Sequence, residues 1–460
     1  MNLYETLSIC PVCLKTIKAA YNKKDGAVYL EKTCDEHGDF SCLISKKAID
    51  FENWRANVTN IKPKEALLQT REGCPRDCGP CNEHMQTACC VLIDITDKCD
   101  QKCNICFASA SPEKKQNLSL YEIEQKYDLL LNLSEERKFN IQLSGGEPAT
   151  HKNLPEIIKM AKDKGFEYVQ LNSNGKRLGL EAEYAKTLKS AGLDAVFMQF
   201  DGMDDGIYEE LRGEKLLKIK KKAIENCRGA KLPVALVPTI VRGINDGNIG
   251  AMINFMLENT DVIKGIHFQP VSLFGRYPRG MGEKDRFTMF DAIDEIAGQT
   301  GGAISKSDLI PIETGHNLCC FYANYLKQED GSILCTSAEA RETGKYGPGD
   351  CGCGEVQPQC CPPPITQCCP PPIEIISKDR DYVLNKWKMA GTASEDGFDA
   401  FLNHMRDNSF TLTGMAFQDA MSFDTERVKR CRVQVLSGDN RLIPFCAYNV
   451  TDINGNYLYR

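Results

Sequence analysis

Residues 91–106 read VLIDITDKCDQKCNIC, a short apolar run followed by three cysteines in eight positions. The apolar run is typical of a buried strand. Cys99, Cys103 and Cys106 follow it, with three and then two residues between them. A structural zinc site needs four ligands, which three thiols alone do not provide. We expect a four-iron cluster whose fourth iron stays open for another ligand, and a structural zinc site is the alternative.

The chain downstream of this motif alternates short apolar runs with amphipathic segments. Such repeated units predict a parallel sheet with right-handed crossovers, and six of them predict a partial (β/α)6 TIM-like barrel with its site at the C-terminal strand ends. Strands are expected at 91–96, 140–148, 168–175, 195–202, 234–240 and 265–272. Helices are expected at 154–165, 181–192 and 249–260, among others.

The cysteine spacing and the sequence SGGEP at 144–148 resemble the radical S-adenosylmethionine (SAM) superfamily. The resemblance implies a [4Fe-4S] cluster on Cys99, Cys103 and Cys106, whose open iron chelates SAM. In that superfamily, an electron from the cluster yields a 5′-deoxyadenosyl radical, which abstracts hydrogen from an unactivated carbon. Such chemistry belongs to the cofactor, and the protein supplies position and protection.

Further polar residues at strand ends are candidate contacts for SAM or the substrate. The resemblance assigns the methionine amine to Gly145, Gly146 and Glu147, and it makes Asn174 and Asp201 candidates. For Asn174, a plain strand-to-turn signal is the alternative. His267 and Gln269, in the sequence IHFQP, either face the barrel mouth or form part of the core.

A second cysteine group, CPVC at 10–13 and CDEHGDFSC at 34–42, resembles a rubredoxin or zinc-ribbon knuckle. Paired knuckles suit tetrahedral coordination of one zinc or one iron ion. Cys10, Cys13 and Cys34 are the expected ligands. The fourth is His37 or Cys42, and the resemblance to radical enzymes with CDEHG favours His37.

The remaining cysteines resemble a radical SAM subgroup that includes archaeal tetraether lipid synthase and pterin methyltransferase-like enzymes. The resemblance rests on GCPRDCGPCNEHMQTACC at 73–90, GHNLCC, GSILC and the sequence around Cys431 and Cys446. It implies an auxiliary [4Fe-4S] cluster on Cys74, Cys78 and Cys81, with Cys89 or Cys90 as fourth ligand. A further cluster would be bound by Cys320 or Cys319 together with Cys335, Cys431 and Cys446.

Two reactions are compatible with this resemblance. The first, and our main expectation, is carbon–carbon bond formation or another alkyl-chain modification of a lipid. The second is radical methylation of a pterin or a similar heterocycle, with SAM also supplying the methyl group. A multi-cluster electron-transfer protein is the non-enzymatic alternative. SGGEP argues against it, because a protein that only transfers electrons needs no binding site for the methionine part of SAM. A broad apolar tunnel would favour lipid, and a small polar pocket with aromatic walls would favour the pterin.

Composition limits the partners and the compartment. The chain has 460 residues, 24 cysteines and a net charge of −7, which argues against nucleic-acid binding. We expect a cytoplasmic protein from an anaerobic setting, with no transmembrane segment or signal peptide and at most peripheral membrane contact. Its expected partners are a lipid or small-molecule substrate and a ferredoxin- or flavodoxin-type electron donor.

Four regions are expected along the chain. Residues 1–70 form the metal knuckle, 71–90 an auxiliary-cluster segment, 91–290 the barrel and 291–460 a C-terminal cluster region. A cysteine- and proline-rich insertion at 343–374 interrupts the last region. Its proline triplets favour polyproline II and exclude helix, so it is an exposed loop or an additional metal site.

Overall fold

The computed structural model describes residues 1–54, 60, 62–63, 68, 70–79, 81–134, 138–278, 280–312, 314–337 and 405–460. The predicted insertion at 343–374 lies outside these residues. Two sheets organise the described chain, one of four strands and one of thirteen.

The smaller sheet is an N-terminal antiparallel meander. Its strands are β1 (Asn2–Ile9), β2 (Thr16–Lys24), β3 (Ala27–Cys34) and β4 (Gly38–Ser45), and α1 (Ala48–Asn53) follows. The turn between β2 and β3 uses Asp25 and Gly26, both at positive φ, which is the pairing that tight hairpins favour. The meander brings the two cysteine knuckles to one end of the sheet.

Six parallel strands form the centre of the larger sheet and confirm the predicted barrel. They pair in the order β11-β9-β8-β7-β6-β5, and the short β10 pairs with β11. All six fall on the segments predicted as strands. The bounds of the six strands and of β10 are β5 (Cys90–Thr96), β6 (Asn140–Gly145), β7 (Val169–Ser173), β8 (Ala195–Gln199), β9 (Val234–Val237), β10 (Thr239–Ile240) and β11 (Ile263–Pro270).

Helices connect these strands and cover their outer face. Each crossover buries an apolar stripe on the sheet, as in α3, where Leu154, Ile157 and Ile158 are buried. A Ser119–Glu122 capping box fixes the start of α2. The helices are α2 (Leu120–Leu133), α3 (Leu154–Asp163), α4 (Lys176–Leu180), α5 (Tyr184–Ser190), α6 (Asp205–Arg212), α7 (Leu217–Gly229), α8 (Ile249–Leu257) and α9 (Met289–Gln299).

The C-terminal region extends the barrel sheet at both ends. Strand β15 (Ser409–Met415) pairs in parallel with β11, and β16 (Val433–Leu436) pairs in parallel with β5. The other elements are β12 (Ile310–Pro311), β13 (Cys320–Lys327), β14 (Ile333–Cys335), α10 (Thr425–Lys429), β17 (Leu442–Pro444) and α11 (Phe445–Asn449). Short 3-10 turns lie at 148–150, 246–248, 283–285, 306–308 and 317–319.

Alternation along the barrel strands separates core from site. On β6, Ile141 and Leu143 are fully buried against the helices, whereas Gln142 and Ser144, which alternate with them, face the barrel interior. Strand β6 therefore presents polar side chains to the interior and apolar side chains to the helices.

The N-terminal sheet packs on the C-terminal region. Asp424 accepts hydrogen bonds from Thr6 Oγ1 at 2.7 Å and from Tyr21 Oη at 2.8 Å, and Lys32 Nζ donates to the Ala420 carbonyl at 2.6 Å. Across the described ranges, no helix combines the length and the apolar character needed to span a bilayer.

Candidate active site

One cavity of about 350 Å³ lies at the C-terminal ends of the barrel strands. Cys99, Cys103 and Cys106 all line it, together with Gly145 and Gly146. The structure thus brings the cysteine motif and the SGGEP strand end to one place, where parallel barrels carry their active sites.

Backbone contacts from distant segments fix the cysteine loop. Arg276 Nε donates to the Cys103 carbonyl at 2.7 Å, and the backbone groups of Arg276 and Cys106 exchange two hydrogen bonds of 2.9 Å. Arg212 Nη1 donates to the Ile105 carbonyl at 3.1 Å. These arginines hold the loop without using the thiol groups, which stay available as ligands.

The two glycines of SGGEP allow the loop to approach the end of β6. A Cβ atom at Gly145 would lie 2.1 Å from the Thr96 carbonyl oxygen, and one at Gly146 would lie 2.2 Å from that of Lys98. Gly145 also has a φ of 122°, a backbone angle that residues with a side chain rarely adopt. Glycine is therefore required at both positions because the backbone that leads into the cysteine loop packs directly against them.

Glu147 is a buried carboxylate at the edge of the same cavity. Its oxygens accept hydrogen bonds from the backbone N–H of Ala149 at 3.0 Å, from Ser173 Oγ at 2.9 Å and from the Asn174 N–H at 2.6 Å. Burial raises the pKa of this carboxyl to about 7, although the hydrogen bonds oppose the shift. Asn174 in turn donates from Nδ2 to Asp100 at 2.7 Å. The predicted cofactor contacts Glu147 and Asn174 therefore lie side by side.

Asp201, predicted as a contact for SAM or the substrate, is instead bonded to an arginine of the chain. It is fully buried, and its two oxygens accept hydrogen bonds of 2.7 Å from Arg212 Nε and Nη2. Arg212 lines the cavity, whereas Asp201 lies behind it. The structure thus gives Asp201 a positioning role, since it orients the arginine that holds the cysteine loop.

The donor set fits the cluster and cofactor that the motif implies. Three thiols line one cavity, and among the described residues they form no four-ligand group for a single ion, whereas the two glycines bring the strand end close to the cysteine loop. A four-iron cluster binds each thiolate to a different iron, so its ligands need not crowd as they do around a single ion. Cys99, Cys103 and Cys106 would hold the cluster, and Gly145, Gly146 and Glu147 lie where SAM would extend.

The N-terminal knuckle has the geometry of a single-ion site. One potential ligand atom from each of Cys10, Cys13, Cys34 and His37 lies within 4.8 Å of all the others. His37 Nδ1 is 3.4 Å from Cys34 Sγ and 3.6 Å from Cys10 Sγ. Cys42, the alternative fourth ligand, is fully buried, with its thiol directed to the Leu43 carbonyl at 3.7 Å. Soft thiolates with one imidazole suit zinc.

Comparison with known proteins agrees with both sites. Residues 93–256 match the family model of the radical SAM superfamily, and residues 2–46 match the HMPTM N-terminal zinc ribbon domain. The 7,8-dihydro-6-hydroxymethylpterin dimethyltransferase of Methanocaldococcus jannaschii is 35% identical over 97% of this chain and 93% of its own length. This chain belongs to that radical SAM family.

Other known proteins match a smaller part of the chain. The GTP 3′,8-cyclase of Chlorobaculum tepidum is 28% identical over 46% of this chain and 64% of its own. The solved structure of Streptococcus suis SuiB bound to S-adenosylmethionine covers 46% of each chain, with 14% identity and a TM-score of 0.37.

The first predicted auxiliary group of this radical SAM chain has one unexpected neighbour. The side chain of Cys74 and burial raise the pKa of the Cys78 thiol, with smaller effects from Cys81 and Cys431. Cys89 directs its thiol to the Arg432 carbonyl at 3.5 Å, and Cys90 directs its own into the barrel, 3.3 Å from Gln142 Oε1. Cys431, which is predicted for the other group, therefore also lies close enough to influence this one.

The second predicted auxiliary group also differs in membership. Burial raises the pKa of Cys446 to about 12, and nearby Cys319 adds to the effect. Burial also raises the pKa of Cys431, and Cys446 and Cys319 add to the effect. The other two predicted ligands have local partners, because the Cys320 thiol donates to the Phe321 carbonyl at 3.2 Å and the Cys335 thiol lies 3.3 Å from Ser337 Oγ. Among the described cysteines, the structure thus groups Cys319 with Cys431 and Cys446.

Sequence reasoning missed three residues that shape these sites: Arg212, Arg276 and Arg427. Arg427 donates from Nε to Cys319 Sγ at 3.4 Å and from Nη2 to the Ala416 carbonyl at 2.6 Å. All three lie far along the chain from the cysteine-containing segments that they contact. The sequence shows only that each segment contains an arginine. Arginine is too common for its presence to assign a role.

Proposed function

We propose that this radical SAM enzyme methylates a carbon atom of a pterin or a closely similar heterocycle. The full-length relationship to a named pterin dimethyltransferase, which includes the zinc ribbon, is the observation that carries the proposal. It supports the second of the two predicted reactions better than lipid modification.

The cavity supports the same choice. Its volume of about 350 Å³ lies near the lower end of the range for small-molecule sites. Coupling two lipid chains would need a long apolar channel, whereas this lining mixes carboxamides with the rings of Phe197, Phe417 and Phe445. A small pocket with polar groups and aromatic walls suits a flat heterocycle.

The residues of the chain would share the work as follows. The cluster and SAM, when bound, supply the 5′-deoxyadenosyl radical that makes a carbon–hydrogen bond reactive. Cys99, Cys103 and Cys106 hold the cluster, and Gly145 and Gly146 keep the cysteine loop against the strand end. Glu147, fixed by three hydrogen bonds, presents a preorganised carboxylate to the cofactor amine.

Aromatic side chains from the C-terminal region would protect the reaction from water. The rings of Phe417 and Phe445 are 4.4 Å apart, and Phe107 packs 5.6 Å from Phe445. All three line the cavity that the cysteine loop borders. Excluding water prevents side reactions of reactive intermediates. The C-terminal region thus completes the active site of the barrel.

The test is an anaerobic assay of the reconstituted protein with dithionite, SAM and 7,8-dihydro-6-hydroxymethylpterin, with products identified by mass spectrometry. We expect 5′-deoxyadenosine and a pterin carrying one or two added methyl groups. SAM labelled in its methyl group tests the prediction that it donates the methyl. Cys103→Ala, which removes one of three cluster ligands, should abolish both products, while Cys227→Ala in α7 should form both.

A lipid extract in place of the pterin separates the two predicted reactions. Formation of coupled or desaturated alkyl chains without pterin methylation would overturn the proposal in favour of the lipid enzyme. Full iron content with neither product would favour an electron-transfer protein.

A further inference from the structure

Strand β11 presents two polar side chains to the cavity that neither the cluster nor SAM accounts for. His267 and Gln269 are two residues apart, so they share one face of the strand, and both line the cavity. They lie on the far side of the barrel from β5 and β6, whose ends carry the cysteine loop and SGGEP. This position is open to a substrate.

Gln269 differs from its neighbouring carboxamides in having no partner. Gln142 Nε2 donates to Asn172 Oδ1, and Gln170 Nε2 lies 3.8 Å from Cys90 Sγ. The carboxamide of Gln269 makes no hydrogen bond to any side chain or backbone group in the described part of the chain. It therefore offers one acceptor and two donor hydrogens to whatever occupies the cavity.

His267 offers a second uncharged contact. Its Nδ1 is 2.7 Å from Thr413 Oγ1, which fixes the ring, and no described group is bonded to Nε2. Burial lowers the pKa of His267 to about 4, so the ring is neutral near pH 7. Phe197 packs against the imidazole with ring centroids 6.3 Å apart. The site is thus a neutral imidazole beside an aromatic ring.

The charges around the cavity are already paired. Within the described residues, its lining has two charged side chains, Glu147 and Arg212. Arg212 is bonded to both oxygens of Asp201 and to the Ile105 carbonyl, and Glu147 accepts three hydrogen bonds. A phosphate group placed here would find no unpaired cation, although buried anions need one.

We propose that Gln269 and His267 anchor the substrate, and that the site selects an unphosphorylated heterocycle with adjacent hydrogen-bond donors and acceptors along one edge. This inference rests on the proposed function and names the substrate class and the residues that recognise it. An amide or amidine edge matches a carboxamide, which can donate and accept at once. The barrel would then hold the reacting heterocycle opposite the cysteine loop.

Binding measurements test this without relying on turnover. Isothermal titration of the anaerobically reconstituted full chain, loaded with SAM, would use two probes: 6-hydroxymethylpterin and its diphosphate ester. We expect the diphosphate to bind at least about tenfold more weakly than the alcohol. Gln269→Met, which keeps size but removes both polar functions, should weaken binding of the alcohol at least about tenfold.

Two further variants complete the design. His267→Phe should also weaken binding, because it removes the ring nitrogens but keeps an aromatic ring beside Phe197. Gln125→Met is the matched control, since Gln125 is an exposed carboxamide on α2 that is bonded to Tyr121, and it should bind both probes as the unaltered chain does. Equal iron content and thermal unfolding midpoints exclude misfolded variants from the comparison.

The outcomes separate this inference from the proposed function. If Gln269→Met and His267→Phe bind the pterin as tightly as the unaltered chain and methylate it normally, the inference is overturned but the proposed function is not. Equal or tighter binding of the diphosphate would overturn the selection against phosphate. Specific loss of binding in the two variants, with no methylation by the unaltered chain, would support the inference and contradict the proposed function.

Discussion

At the residue scale, the buried ion pair between Asp201 and Arg212 links core stability to the cysteine loop. Both side chains are almost inaccessible to solvent, and Arg212 also bonds the backbone between Cys103 and Cys106. A buried charge that loses its partner is strongly destabilising, because neither water nor another ion replaces it. The pair therefore has both a structural and a positioning role.

Asp201→Asn should destabilise the chain by about 3–5 kcal/mol, because it leaves the Arg212 charge buried without its partner. Guanidinium or thermal unfolding would measure this. Asp163→Asn is the matched control: its pair with Lys159 is exposed on both sides, so its loss should cost less than about 1 kcal/mol. Equal effects of the two changes would contradict the assigned importance of the buried pair.

Sequence reasoning succeeded at this scale where ligands are close along the chain. Cys99, Cys103 and Cys106 fall within eight positions, and their spacing led to the cavity that they line. Arg212 and Arg276 could not be predicted, since only the fold carries α6 and the segment after β11 to the cysteine loop. Asp201 was recognised as a polar strand end, but its charged partner was invisible in the sequence.

At the element scale, β11 contains a buried lysine that makes stability depend on pH. Lys264 Nζ donates to the carbonyls of Thr260 at 2.7 Å and Arg406 at 2.8 Å. Burial lowers its pKa from 10.5 to about 8. The unfolded chain therefore binds more protons than the folded one between about pH 8 and 10.5.

Stability should consequently rise with pH through that window, by up to about 3 kcal/mol from this group. Below pH 8 the cost of burying the charged amine is present in full. Lys264→Met should remove this part of the pH dependence. Urea unfolding of both proteins at pH 7.5 and 10 would measure the difference. The same change in unfolding free energy between the two pH values in the variant and the unaltered chain would contradict the assignment.

The auxiliary cysteine segments give a second prediction at this scale. Cys78→Ala should lower the iron content but leave some SAM cleavage, since Cys78 lies among Cys74, Cys81 and Cys431 rather than in the cavity. Cys335→Ala should retain iron, because the Cys335 thiol lies beside Ser337 on β14. Iron per chain is the measurement. Retained iron in the first variant, or lost iron in the second, would contradict these placements.

The sequence predicted the central strands of the barrel but not the strands that extend it. The six central strands carry apolar runs flanked by turn signals, so their type and order followed from the pattern. Strands β15 and β16 were not predicted as parts of the barrel sheet. Each pairs with a strand far away in sequence, so no local pattern indicates its partner.

At the scale of the whole molecule, the zinc ribbon is coupled to the active site through the C-terminal region. Tyr21 and Thr6 bond to Asp424, and Lys32 bonds to the carbonyl of Ala420. Phe417, a few residues earlier, lines the cavity. Folding of small ribbons depends on their metal, so loss of the ion should loosen this wall.

His37→Ala should lower the ribbon metal content and reduce the ratio of methylated pterin to 5′-deoxyadenosine. Cys42→Ala should leave the metal bound, because the Cys42 thiol lies outside the ligand group. Metal analysis and product ratios provide the readouts. An unchanged product ratio in a His37 variant that has lost its metal would show that the ribbon acts independently of the cavity.

The most direct test of radical catalysis on a heterocycle uses 7,8-dihydro-6-hydroxymethylpterin with deuterium on its saturated carbon atoms. The reconstituted enzyme would be supplied with dithionite and SAM under anaerobic conditions. We predict a methylated pterin together with 5′-deoxyadenosine that carries deuterium from the pterin. Unlabelled 5′-deoxyadenosine with an unmethylated pterin would contradict the central claim.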